Sequence, residues 1–244
     1  MYLRPIHTSH DIPALHDFIR ENPLGIFTTA LDAPPHAFIQ ASHIPWVLDV
    51  DDPSDLGTLR GHIARANPQA KAIIHTLNIN NPPTPLLPSQ TMILFNNPHH
   101  HYITPKFYTS TKPTTGKVVP TWNYAAVQVY GEARVYYLDD EETSRFLDAQ
   151  LRDLSDQEES KISLRLGEGN PWKVSDAPAS YVNTLKKGII GIEIRIQSIA
   201  GKYKMSQELG RGDRDGVVQG MVDLGDETAI KVAEMVKERG ELVS

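Results

Sequence analysis

The chain contains no cysteine at all among its 244 residues. That excludes disulfides, a thiolate nucleophile, and zinc or iron–sulfur centres held by cysteine. No apolar run approaches the roughly 20 residues needed to cross a bilayer. The start, Met1-Tyr2-Leu3-Arg4-Pro5, leads into polar residues and not into an apolar signal core. A basic surplus is also missing: 24 Lys and Arg stand against 30 Asp and Glu, a formal net charge of −6. Bulk attraction to nucleic acid needs concentrated cations, and no helix-turn-helix, zinc finger or basic arm is present. There is no G-x-G-x-x-G and no βαβ rhythm, which disfavours a Rossmann fold. No G-x-S-x-G elbow supports nucleophilic catalysis. A cytoplasmic protein is the expectation, with a nuclear location open to a regulator.

What is present reads as mixed strands and helices. Residues 11–22 form an amphipathic helix, with Asp11 near the N-cap, Pro13 in the first turn and Leu15, Phe18 and Ile19 on one face. Strands follow over 25–31 and 36–48, joined by Asp32-Ala33-Pro34-Pro35. Further strands are read at 56–63, 70–77 and 91–95. Four prolines between residues 78 and 90 forbid regular structure there, so this stretch is an insertion over the surface. From Tyr124 to Tyr136, Val127, Val129, Ala133 and Val135 alternate with Gln128, Tyr130, Glu132 and Arg134, a half-buried antiparallel strand with Gly131 at a bulge or bend. Helices are predicted at 139–154, 177–187 and 226–239, with a strand at 188–199. Short-turned strands with helices between them give an α+β domain on an antiparallel barrel.

One segment concentrates chemistry. Lys117-Val118-Val119-Pro120-Thr121-Trp122-Asn123-Tyr124 places a cation, hydroxyls, an indole and an amide immediately before a strand. Such a set suits a flat anionic ligand: charge for a phosphate, aromatic faces for a ring, polar groups for its edges. The plainer alternative is a core cap, since Trp and Tyr often sit at strand starts with their polar tips wet. A second basic set is Arg60, His62 and Arg65, with Arg60 and His62 alternating onto one face and Arg65 at the following turn. Arginine forks match phosphate oxygens, although two arginines alone are more often a solvated edge. All ten histidines fall in the first 101 residues, and His99-His100-His101 raises the question of metal or haem. Adjacent strand residues point to opposite faces, so three in a row do not converge on one ion. A surface loop is the simpler reading.

KVVPTWNY with the following Ala125–Gly131 resembles the hallmark of the PaiB family, the FMN-binding "negative transcriptional regulators". Four more blocks follow that family in order: Ser42–Pro45, Leu59–Gln69, Pro171–Pro178, and Gly201–Gln207 with Asp213–Val218. The resemblance covers residues 1 to about 221, leaving 222–244 as a C-terminal helical extension. It implies a split β-barrel with flanking helices, a homodimer, and FMN in the cleft between subunits. It also implies ligand roles for Arg60, His62, Arg65, Lys117, Thr121, Trp122, Asn123, Tyr124, Lys204, Ser206 and Gln207. Glu208 departs from the Asn usual in relatives, which weakens a contact there. Two functions outside flavin redox chemistry stay open: a regulator or ligand sensor without catalysis, and haem binding through a histidine.

Overall fold

The computed structural model describes residues 1–52, 55–79, 84–167 and 169–242. The strands are β1 (Thr8–Ser9), β2 (Leu24–Ala30), β3 (Ile39–Asp49), β4 (Thr58–Ala64), β5 (Thr91–Asn96), β6 (His101–Ile103), β7 (Thr121–Tyr136) and β8 (Ile189–Lys204). The helices are α1 (Ile12–Glu21), α2 (Pro68–Ile79), α3 (Thr111–Thr115), α4 (Glu141–Leu166), α5 (Ala179–Lys186), α6 (Arg211–Leu224) and α7 (Glu227–Glu241). Hydrogen bonding orders the strands β1-β8-β4-β3-β2-β5-β7-β6, and an added β8–β7 pairing closes the six middle strands on themselves. The fold is an α+β antiparallel split barrel with flanking helices.

The chain forms two compact units, and the long strands β7 and β8 run through both. The larger comprises residues 19–94 and 129–199. Its antiparallel registers set Phe27 opposite Ser42 and Ile93, and Trp46 opposite Gly61. Phe27, Trp46, Leu59, Ile93, Val129, Ala133, Ile190 and Ile192 are fully buried or nearly so, with Phe27 meeting Trp46 edge-on at 5.8 Å. The alternation read for Val127–Val135 is thus the barrel's inward face. Gly131 is required by a close approach: a Cβ there would lie 2.3 Å from the Arg195 carbonyl oxygen. Against the barrel, Phe146 of α4 stacks on Tyr136 at 3.9 Å.

One strand expectation is corrected here. Residues 70–77 lie in helix α2, not in a strand. Asn67 Oδ1 accepts the Gln69 amide at 2.8 Å, Pro68 opens the first turn, and Ala70, Ile73 and Leu77 bury one stripe. Within the expected proline-rich insertion, residues 78–79 end α2, residues 80–83 lie outside the described residues, and Leu87 is buried.

The smaller unit comprises residues 1–18, 95–128 and 200–244. Its core includes Leu15, Phe95, Ile103, Met205, Val217, Met221, Val232 and Val236. Tyr203 takes Phe18 edge-on at 5.9 Å and the Arg239 guanidinium over its ring at 3.5 Å. Helix α7 follows the stripe Ala229, Val232, Ala233 and Val236, all buried. Its partner α6 was not read in the sequence. Within the histidine run, His99 and His100 lie in the expected loop and His101 begins β6, which pairs with β7 at His101–Asn123, Tyr102–Trp122 and Ile103–Thr121.

Candidate functional site

The smaller unit gathers eight of the anticipated ligand residues on or near the first turns of β7 and the last of β8. β7 starts at Thr121, directly after Pro120, so Trp122 and Tyr124 share one face of the strand. Trp122 is 48% exposed, yet held in place. Its Nε1 donates to His100 Nδ1 at 3.2 Å, and Tyr102 meets its ring edge-on at 6.2 Å. Asn96, Asn97, Pro98, His100, Trp122 and Tyr124 line a cavity of about 410 Å³. Two large aromatic side chains and two amides therefore share this lining.

Two lysines of β8 approach these same residues. Lys204 Nζ donates to Thr121 Oγ1 and, at 3.0 Å, to the Trp122 carbonyl. Burial holds its pKa below the ordinary lysine value; Glu208 opposes this and the neighbouring Lys202 charge adds to it. Lys202 lies two residues earlier on β8, on the same strand face, and is 8% exposed. Its ammonium sits 5.4 Å from the Tyr124 ring centroid and 5.7 Å from that of Tyr2. Among the described residues it meets no carboxylate. Glu208, the nearby acid, is taken by His7 at 3.0 Å. Burial works against the Glu208 carboxylate, but the His7 hydrogen bond, a backbone amide and the charges of His7 and Lys204 outweigh it and leave its pKa below the usual range.

Asn123, Ser206 and Gln207 have a different placement from Trp122 and Tyr124. Asn123 is fully buried and bonds Ser206 in both directions, at 3.0 and 3.2 Å. Gln207 accepts from the Met205 amide at 2.6 Å and donates to the Tyr203 carbonyl at 2.5 Å. Their polar groups hold the turn after β8, where Ser206 adopts φ 61°. Lys117 follows Gly116 on an exposed loop, and its side chain has no partner among the described residues.

The larger unit holds the second basic set, and the structure separates its members. Arg60 is bound by Asp49 through two hydrogen bonds and by Asp153 of α4 at 2.9 Å. The Asp49 hydrogen bond, resisted by burial and aided by both carboxylate charges, raises its pKa further. A phosphate approaching that guanidinium meets two carboxylates already in place. His62 Nδ1 lies 2.7 Å from Gln150 Oε1, and burial lowers its pKa against that bond. Arg65 points elsewhere, donating to the Tyr137 carbonyl at 2.9 Å and lining a cavity of about 590 Å³ with Asp139, Asp140, Thr143, Lys186 and Lys187. Arg60 and His62 share a face as anticipated, but α4 covers it.

Sequence reasoning passed over Lys202 and weighed His100 only as a metal or haem ligand. The Lys-x-Lys spacing on a strand carried the signal for the first, because alternate residues share a face. Nothing local marked His100 as the partner of an indole 22 residues away. No group of three or more potential metal-ligating side chains occurs among the described residues. The arrangement fits a planar ring bearing an anion: two aromatic faces on a cavity, and two lysines of which one lacks an acceptor. FMN has both parts.

An uncharacterized protein of Aspergillus fumigatus is 52% identical, covering 99% of this chain and 98% of that one. One from Emericella nidulans is 54% identical over the same shares. The protease synthase and sporulation protein PAI 2 of Bacillus subtilis is 24% identical, covering 98% of each chain. Among solved structures, the conserved hypothetical protein Rv2991 of Mycobacterium tuberculosis has a TM-score of 0.49 at 10% identity, covering 86% of this chain and 95% of that one. The family described as "Putative FMN-binding domain" matches residues 1–198, and the chain belongs to that family.

Proposed function

We propose that this protein binds FMN at the face formed by Thr121, Trp122, Tyr124 and Lys204, and that it is a flavin-dependent oxidoreductase. The observation that carries this is the pairing of two strand-aligned aromatic side chains on a cavity with a half-buried, partly desolvated lysine that donates to Thr121 and to the Trp122 carbonyl. Bound FMN supplies two-electron redox chemistry. The chain's own residues bind and orient. Trp122, fixed by His100 and Tyr102, offers a rigid indole surface with little rotamer freedom left to lose. Asn123 and Ser206 hold the strand ends from which Trp122 and Lys204 project. With Trp122 48% exposed, a second reactant has access to the same face.

Val119 and Tyr102 are exposed at 74 and 45%. Apolar side chains so close in the fold suit burial against a second copy, and we assign the protein as a homodimer. The resemblance to the PaiB family implies regulation, but a formal charge of −6 favours action through a partner over direct contact with nucleic acid. The visible spectrum of the purified protein tests the reading. It predicts flavin absorption and FMN in the supernatant after denaturation. A Soret band, or a colourless protein indifferent to added FMN, contradicts it.

A further inference from the structure

We propose that Lys202 is the anchor for an oxyanion, a phosphate or carboxylate, on the ligand face of this chain. The inference deepens the flavin reading but rests on its own observation. Lys202 is 8% exposed, and no carboxylate or hydrogen-bond acceptor meets its ammonium among the described residues. A lysine this buried is ordinarily paired. Two tyrosine faces are near it, at 5.4 and 5.7 Å, and neither face offers the ammonium a hydrogen-bond acceptor.

The surroundings are built for negative charge and contain too little of it. Lys202 and Lys204 project from the same face of β8, close enough for the charge of one to depress the pKa of the other. The single acid acting on Lys204, Glu208, is already committed to His7. An incoming oxyanion would complete Lys202 and relieve its repulsion of Lys204. The direction is set by Tyr124, whose ring both contacts the Lys202 ammonium and lines the cavity beside Trp122. The anion therefore belongs to a ligand that also lies on the aromatic wall, or sits next to one.

The test compares the full chain with Lys202→Met in two measurements. In the first, melting temperature is followed as inorganic phosphate replaces chloride at constant ionic strength. Phosphate should raise the melting temperature of the native protein by several degrees and leave that of Lys202→Met unmoved. In the second, FMN and riboflavin affinities are measured by flavin fluorescence. Loss of an FMN preference of about tenfold in Lys202→Met, together with competition between phosphate and FMN, identifies the anion as the cofactor's own phosphate. Phosphate stabilisation that persists in the FMN-saturated protein identifies a separate anionic substrate. Both outcomes support the anchor. It is overturned if the native protein ignores phosphate, or if native and variant respond equally. Should Lys202→Met fail to fold, Lys202→Arg must retain the phosphate response. Because the phosphate measurement needs no flavin, it tests Lys202 even in a protein that binds no FMN.

Discussion

Asn123 and Ser206 bond each other twice, at 3.0 and 3.2 Å, with both residues fully buried. One lies in β7 and the other just past β8, so this pair fixes the spacing of the two strand ends that carry Trp122 and Lys204. Asn123→Ala leaves the Ser206 hydroxyl without a partner in a dry environment. The expected cost is about 1–3 kcal/mol of unfolding free energy, read from urea denaturation. A stability equal to that of the native protein would show that the pair is dispensable.

The Arg60 guanidinium is already occupied by two carboxylates, so we expect it to serve the fold more than a ligand. The Arg60 side chain is 14% exposed and joins Asp49 to Asp153. Arg60→Met leaves two carboxylates facing each other. The loss should be about 1–3 kcal/mol, below that of a fully buried pair because Asp49 is 42% exposed. FMN affinity should be unchanged when measured below the melting transition. A tenfold weaker affinity with stability intact would restore the phosphate-cradle role.

The pH dependence follows from Glu208. Its folded pKa is depressed, chiefly by the His7 hydrogen bond working against burial. Its stabilisation is therefore present above the ordinary glutamate pKa of about 4.3 and is lost as pH falls through the lower folded value. Glu208→Gln should be less stable than the native protein near neutrality, with the gap closing as the solution is acidified below about pH 4. Thermal unfolding across that range checks it; a gap that stays constant with pH would show that the Glu208 charge does not stabilise the fold.

Much of the barrel was legible because period-two alternation survives in β7 and, from Ile192 to Ile196, in β8. Helix α2 was misread as a strand because Ala-Ile-Ile looks like a buried strand run, although Asn67-Pro68 is a helix start. Helix α6 escaped notice because Gly212, Gly216 and Gly220 recur every four residues, a spacing that lowers helix propensity. The structure gives those glycines a packing reason: Cβ atoms at Gly216 and Gly220 would fall 2.1 Å from the Phe107 carbonyl and 2.2 Å from its ring. Helix α4 runs on to Leu166, twelve residues past its last predicted turn, through a polar stretch with no apolar stripe to read. At the site, the residue types were legible and their directions were not. Asn123 and Trp122 are adjacent in sequence, yet one is fully buried and the other 48% exposed.

Flavin binding on the Trp122 face is tested most directly by an equilibrium titration of FMN into the native protein and Trp122→Ala, followed by flavin fluorescence. The native protein should bind and saturate. Trp122→Ala should bind at least about tenfold more weakly, a loss of about 1.4 kcal/mol, with its melting temperature nearly unchanged because the indole is half exposed. Equal affinities for the two proteins, or no saturable binding by the native one, would contradict the placement of flavin on this face.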